Sequence, residues 1–213
     1  DGLLAVGGDL SPQRIIKAYS LGIFPWFNDD QPILWWSPNP RFVLYPSEIK
    51  VSKSMRQVFR KKSFRITFDQ AFESVIEACG SIPRAGQHGT WLTEEMKAAY
   101  INLHRLGFAH SVETWQGDQL VGGLYGLSLG NCFFGESMFA KTSNASKSAL
   151  IVLAKTVEKK GFGMIDCQSE TKHLNSMGAK FIDQVKFLAF LKENKENRTI
   201  RGSWSNWTPE MPI

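Results

Sequence analysis

Residues 109–139 constrain the fold more than any other stretch of the chain. Three apolar, β-prone runs, at 109–115, 120–128 and 132–139, are separated only by Gln116-Gly117-Asp118 and Gly130-Asn131. Gly, Asn and Asp readily take the backbone angles of tight turns, so the three runs are predicted to pair as an antiparallel meander. Directly afterwards, Ser143 or Asn144 can cap a long helix to Lys160, with Ala149, Leu150, Leu153 and Val157 inward and Gly161 past its end. Upstream, strands are predicted at 42–44 and 64–68. A helix capped by Asp69 follows, with Phe72, Val75, Ile76 and Cys79 inward and Gly80 as its stop. A loop at 82–89 leads to a helix capped by Thr93, with Met96, Tyr100 and Leu103 as its stripe and Gly107 closing it. Downstream come a strand at 164–166, a helix at 172–177 and a last strand at 180–185, before a tail that is polar and then tryptophan-rich. The predicted class is α/β (α+β), with a mixed, mostly antiparallel central sheet flanked by helices.

Such a plan needs a core, and 43% of the 213 residues are hydrophobic against 21% charged, which separates the chain from disordered sequences. No apolar run approaches the ~20 residues of a membrane helix; the longest, 149–154, is closed by Lys147 and Lys155. No secretory signal heads the chain, so a cytoplasmic address is expected. Cys79, Cys132 and Cys167 stand far apart without paired spacing, and the four histidines show no metal-ligand spacing, so neither a disulfide framework nor a zinc site is predicted.

Charge is concentrated. Lys50, Lys53, Arg56, Arg60, Lys61, Lys62 and Arg65 occur without an acidic residue among them, and the rest of the chain carries 18 basic and 20 acidic residues. Met55, Val58 and Phe59 follow helical spacing after Ser52 or Ser54, which puts Lys53, Arg56 and Arg60 on the opposite side. That side is either a solvated helix face or a positive surface for a polyanion such as nucleic acid.

A short opening helix, with Ser11 as cap, Pro12 at its first position and Gly22 past its end, precedes two aromatic and proline-rich patches at 23–27 and 33–41. They show neither helix nor strand periodicity and suggest a small lobe packed on a larger domain, or a stacking platform for a ligand. Glu136 lies mid-strand among Phe133, Phe134, Met138 and Phe139, and Asp166 ends an apolar strand. Gln168 shares the face of Asp166 if the chain stays extended. Carboxylates in such surroundings must be paired, hydrogen-bonded or shifted in pKa. They serve either an internal polar network or a reaction. Cys167, with no histidine near it in sequence, reads as a small buried residue rather than a nucleophile.

The order of elements is that of the GNAT acyltransferase fold. The place where such enzymes cradle the pyrophosphate of an acyl-CoA reads Ala140-Lys141-Thr142-Ser143-Asn144-Ala145-Ser146-Lys147, without the glycines that permit close backbone approach. That argues against acetyl-CoA as donor.

Long motifs carry a more specific likeness. Residues 2–11 (GLLAVGGDLS), 22–27 (GIFPWF), 35–41 (WWSPNPR), 89–91 (GTW), 134–139 (FGESMF), 144–147 (NASK) and 165–168 (IDCQ) resemble, in order, the bacterial leucyl/phenylalanyl-tRNA–protein transferases. The resemblance implies a small N-terminal domain, 1–42, on a GNAT-like catalytic domain, 43–213. It implies transfer of Leu, also Phe and less readily Met, from aminoacyl-tRNA to the N-terminal Arg or Lys of a protein. The product would be a degradation signal of the N-degron pathway, recognised by the ClpS adaptor. No cofactor, metal, ATP, CoA or membrane is implied, and a monomer is expected. The family's pattern puts the 3′-terminal adenosine against Trp26 and Trp91, and the aminoacyl side chain in a pocket of Leu124, Phe133, Leu150, Leu153 and Ile165. Asp166 would polarise Gln168 or bind the acceptor's basic end, Gln168 would contact the attacking amine, and Glu136 would orient ribose or amine. The basic helix, through Lys53, Arg56, Arg60, Lys61 and Lys62, would hold the acceptor stem by its phosphates. Two alternatives stay open on sequence: a non-catalytic tRNA-binding module, and another aminoacyl-tRNA-dependent GNAT transferase.

Overall fold

The computed structural model describes residues 2–81 and 92–212. The meander forms as the turn residues dictate: β6 (Ala109–Gln116), β7 (Gln119–Leu129) and β8 (Cys132–Ala140) pair antiparallel in succession. They are the centre of a seven-stranded sheet of order β10-β4-β9-β8-β7-β6-β5, completed by β4 (Arg41–Leu44), β5 (Arg65–Phe68), β9 (Met164–Gln168) and β10 (Lys180–Ile182). Every adjacent pair is antiparallel except β8 and β9, which the long helix α5 (Ala145–Lys159) connects as a parallel crossover.

Both faces are covered. On one, α5 buries Ala149, Leu150, Leu153 and Val157 against Phe133 and Ile165, and α2 (Lys53–Arg60) adds Met55. Ser52 caps α2, its hydroxyl accepting from the Met55 N–H at 3.2 Å. On the other face lie α1 (Pro12–Tyr19), α3 (Phe72–Ser81), α4 (Glu94–Arg105) and α7 (Gln184–Asn194), whose Ile15, Tyr19, Val75, Tyr100 and Phe187 form one continuous core. Thr93 caps α4, its hydroxyl accepting from Met96 N–H at 3.1 Å. The short helix α6 (Lys172–Ser176) lies between β9 and β10. Among the described residues, no helix is long and apolar enough to cross a membrane.

Several local expectations change. The aromatic patches, without strand periodicity, each contribute a short strand: β2 (Phe24–Pro25) and β3 (Leu34–Trp36) pair with each other, and β3 also pairs with β1 (Leu3–Val6), making a three-stranded sheet. Runs of two and three residues are too short to display alternation, so their pairing is set by neighbours rather than by pattern. Ser11 occupies the cap position of α1 but makes no side-chain cap bond; instead its N–H donates to Asp9 at 2.9 Å. Asp69 does not cap α3, because its carboxylate accepts from Ser111 N–H, His110 and Trp204 N–H. Gly80 sits inside α3, which continues to Ser81. The last strand stops at Ile182, and the helix that follows it, α7, has no counterpart in the predicted elements. Its Phe187 and Leu191 are buried with three residues between them, a spacing short enough to be absorbed into the tail on sequence alone. The predicted loop at 82–89 lies outside the described residues.

Candidate functional site

The parallel pairing of β8 with β9 ends at Phe134 and Asp166. Beyond it β8 stays with β7, whereas β9 runs on against β4, whose pairing shifts register between Phe42 and Val43. A cavity of about 710 Å³ opens where the strands part, and Leu124, Phe133, Leu150, Leu153 and Ile165 all line it. Glu136, Gln168 and Trp26 line it as well. Phe133 is held over Gly126, where an added Cβ would come within 2.6 and 2.7 Å of its ring carbons. A side chain there would have to push the Phe133 ring out of place.

Glu136 gathers donors from three elements. The Tyr19 hydroxyl of α1 donates to its Oε1 at 2.7 Å and the Tyr100 hydroxyl of α4 to its Oε2 at 2.9 Å. The Gln168 amide of β9 donates to Oε1 at 3.1 Å. The two phenol oxygens are themselves 2.5 Å apart. Burial pushes the Glu136 carboxyl up to about 7, against the downward pull of its three donors. Both phenols are pushed well above their ordinary range, first by burial and next by the carboxylate beside them, so they stay neutral.

A carboxyl whose native pKa exceeds its unfolded value favours the protonated form, so the associated stability is complete below about pH 4.5 and lost as pH rises to about 7. Glu136→Gln, neutral at every pH, is expected to gain on the unaltered protein by on the order of 3 kcal/mol between pH 4 and pH 8 in urea unfolding. Parallel pH dependences in the two proteins would show that the carboxyl is not perturbed.

Asp166 does not reach the cavity. It is fully buried and takes a fork-to-fork pair from Arg41, Nε to Oδ1 at 2.8 Å and Nη2 to Oδ2 at 2.6 Å. Arg41 lies between the rings of Phe24 and Phe187, at 4.9 and 4.7 Å. A role for Asp166 in binding the acceptor's basic end is therefore corrected: Arg41 already fills that place. Nor do Asp166 and Gln168 remain extended neighbours. Gln168 has φ +59°, and its backbone N–H turns back to donate to Asp166 Oδ1 at 3.0 Å. Asp166 thus acts on the Gln168 backbone, and the Gln168 side chain is left to meet Glu136.

Trp26 is half exposed and packs edge-on against Trp36 at 5.7 Å, and its carbonyl accepts from the Trp36 indole N–H at 2.7 Å. Trp91 lies outside the described residues. Cys167 touches the cavity wall, but burial and then the Asp166 carboxylate push its thiol upward, which disfavours a thiolate. Lys53, Arg56, Arg60, Lys61 and Lys62 are all exposed and form no ion pair with any described residue, so their charge faces solvent. Among the described residues, no cluster of three or more His, Cys, Asp or Glu could hold a metal.

Sequence reasoning missed Tyr19, Tyr100 and Arg41. Tyr100 appeared only as part of an apolar stripe, since helical spacing reports which way a ring points and is silent about its hydroxyl. Arg41 beside a buried strand was the one available signal, because a cation entering an apolar run must meet an anion inside.

Residues 43–192 match the family model of the leucyl/phenylalanyl-tRNA protein transferase, and residues 8–39 match that of its N-terminal domain. The chain is 57% identical to the leucyl/phenylalanyl-tRNA–protein transferase of Syntrophus aciditrophicus over 96% of its own length and 86% of that protein's. It is 55% identical to the enzyme of the same name from Christiangramia forsetii, over 90% and 91% of the two chains. Among solved structures it is similar to a conserved protein of unknown function from Staphylococcus epidermidis, with TM-score 0.46 and 8% identity over 85% and 68% of the two chains. With matched family models over most of its length, and relatives more than half identical, the chain belongs to the leucyl/phenylalanyl-tRNA–protein transferase family of aminoacyltransferases.

Proposed function

We propose that this protein transfers Leu, also Phe and less readily Met, from aminoacyl-tRNA to the N-terminal Arg or Lys of acceptor proteins. The observation that carries the reading is one cavity lined both by apolar side chains and by the Glu136–Gln168 pair, with Trp26 beside them. The aminoacyl side chain occupies the apolar wall formed by Leu124, Phe133, Leu150, Leu153 and Ile165. The terminal adenosine packs on Trp26, and on Trp91 by the family's pattern. Nitrogen of the acceptor amine attacks the ester carbonyl; the C–N bond forms and the C–O bond to the terminal ribose breaks. The ester is already activated and an α-amine of pKa about 8 is partly neutral near pH 7, so positioning supplies much of the rate. Selection among Leu, Phe and Met rests on the shape of the apolar wall, where one methylene is worth only about 1–3 kcal/mol.

In this reading the chain divides after residue 42 into a small N-terminal domain and a GNAT-like catalytic domain. It works as a monomer in the cytoplasm, where charged tRNA is found, and its products enter the N-degron pathway through the ClpS adaptor. The test is transfer of radiolabelled Leu from Leu-tRNA to a protein with N-terminal Arg, alongside a twin with N-terminal Ala, without CoA or ATP. Label in the Arg protein alone is the expected result. Tight Leu-tRNA binding without transfer would instead favour a binding module.

The solvated cations of α2 hold the acceptor stem by its phosphates. Arg56→Ala combined with Arg60→Ala is expected to weaken Leu-tRNA binding, and to flatten the plot of log affinity against log salt by about one unit for each phosphate that the helix no longer neutralises. An unchanged salt slope would place the tRNA elsewhere.

A further inference from the structure

Glu136, Tyr19 and Tyr100 touch one another in a closed ring. Tyr19 meets Glu136 Oε1 at 2.7 Å, Tyr100 meets Oε2 at 2.9 Å, and the two phenol oxygens meet at 2.5 Å. Three oxygen–oxygen approaches of this length need three hydrogens between them. With the carboxylate ionised, the two phenols supply only two, and one approach is made by two facing lone pairs. With the carboxyl protonated the ring closes in one direction: Oε2–H donates to Tyr100, Tyr100 to Tyr19 and Tyr19 to Oε1. The Gln168 amide, donating to Oε1 at 3.1 Å, favours that direction because it marks Oε1 as the accepting oxygen. The ring is therefore a receptacle with room for one proton.

Resting on the transferase reading, we propose that Glu136 takes the proton from the acceptor's ammonium group, and that Tyr19 and Tyr100 are positioning residues that close a hydrogen-bonded ring around it. The ammonium gives one proton to Glu136, and the neutral amine then attacks the ester. The tetrahedral adduct passes a second proton to the departing 3′-oxygen of the tRNA, leaving an amide N–H. The proton on Glu136 leaves to water after the product has gone. Gln168 cannot take this part, since a neutral amide is a poor base. With its nitrogen donating to Glu136, it has a carbonyl oxygen with which to hold the ammonium.

The surroundings suit the task. Apart from Tyr19 on α1, Tyr100 on α4 and Gln168 on β9, which meet Glu136 directly, the cavity that Glu136 lines is also lined by Cys167 of β9, whose thiol burial pushes upward, and by His173 of α6, whose imidazole burial and then Lys147 push downward. Tyr125 of β7 lies edge-on to Tyr100 at 5.5 Å, and the charge of Asp166 on β9 is matched by Arg41 of β4. Burial raises the carboxyl to about 7, which poises it between its two states at neutral pH.

The experiment follows the Glu136 carboxyl by carbon-13 NMR in the whole protein labelled on glutamate, with Glu136→Gln identifying the resonance. Single-turnover transfer from Leu-tRNA is measured over the same pH range. Both are done for the unaltered protein, Tyr19→Phe and Tyr100→Phe, substitutions that keep the buried ring volume. The expected result is an acid limb of transfer that coincides with the carboxyl titration in each protein and moves with it, together with a loss of a hundredfold or more and no such limb in Glu136→Gln. A limb that stays in place while the carboxyl titration moves would overturn the proposal. Absence of transfer by the unaltered protein at every pH, with the carboxyl still titrating, would overturn the transferase reading and the proposal with it.

Discussion

Arg41→Met is expected to destabilise the protein by about 3–5 kcal/mol and to stop transfer. The guanidinium and the Asp166 carboxylate are both fully buried, and the pair sits beneath the turn that presents Gln168. Removing one partner leaves the other charge without water or counterion, and that uncompensated desolvation dominates the loss. Methionine fills much of the space between Phe24 and Phe187, so reduced packing is the smaller part. The companion double variant, Arg41→Met with Asp166→Leu, separates stability from function. Replacing both buried charges by apolar groups is often neutral or better for folding, so urea unfolding is expected to recover. Transfer is not, because the Gln168 N–H then has no Oδ1 to meet and its backbone, at φ +59°, loses the bond that holds it there. A double variant that recovers both stability and transfer would show that the pair serves folding alone.

The second large effect lies in the C-terminal tail. Trp204→Ala is expected to cost about 3–5 kcal/mol, the range for emptying a large aromatic site in a core. Trp204 is 1% exposed, stacked on His110 at 3.6 Å and on Trp207 at 4.0 Å. Its backbone N–H donates to Asp69 at 2.7 Å, so a short segment after α7 is fastened into the same core as the cavity. Phe133, whose ring centre is 6.0 Å from that of Trp204, lines the cavity and belongs to the wall we propose for the aminoacyl side chain. Discrimination between Leu-tRNA and Val-tRNA is therefore expected to weaken along with stability. Trp204→Phe, which refills part of the space, should recover an intermediate unfolding midpoint. A Trp204→Ala protein as stable as the original would mean that the tail is only draped on the surface.

A raised carboxyl pKa does not by itself mark a site. Glu113, like Glu136, lies mid-strand and has its pKa raised by burial. Its donors are Ser111 of its own strand, Thr67 of the neighbouring strand and the Ala71 N–H, and it does not line the cavity. Nothing in the local sequence separates the two. What distinguishes Glu136 is that β8 and β9 part beside it.

The local levels were legible along the chain. The turns at 116–118 and 130–131 set the meander, because Gly, Asn and Asp relieve the backbone at those angles whatever surrounds them. The stripes on α2, α4 and α5 appeared because burial of one helix face imposes its period directly on the sequence. The five-residue apolar wall was named only through likeness to a family. Glu136 and Asp166 stood out as carboxylates among apolar neighbours, but the sequence set Gln168 beside Asp166, and only the fold turns its side chain to Glu136. What periodicity could not supply were contacts between residues distant in sequence. Tyr19 and Glu136 are 117 positions apart, and Arg41 and Asp166 are 125 apart. The three-stranded sheet of β1, β2 and β3, the helix α7 and the seating of Trp204 were likewise decided by packing. Short strands and lone side chains carry too little periodic signal to declare their partners, and only the closed tertiary structure, by excluding water, determines which hydroxyls and charges must find one another.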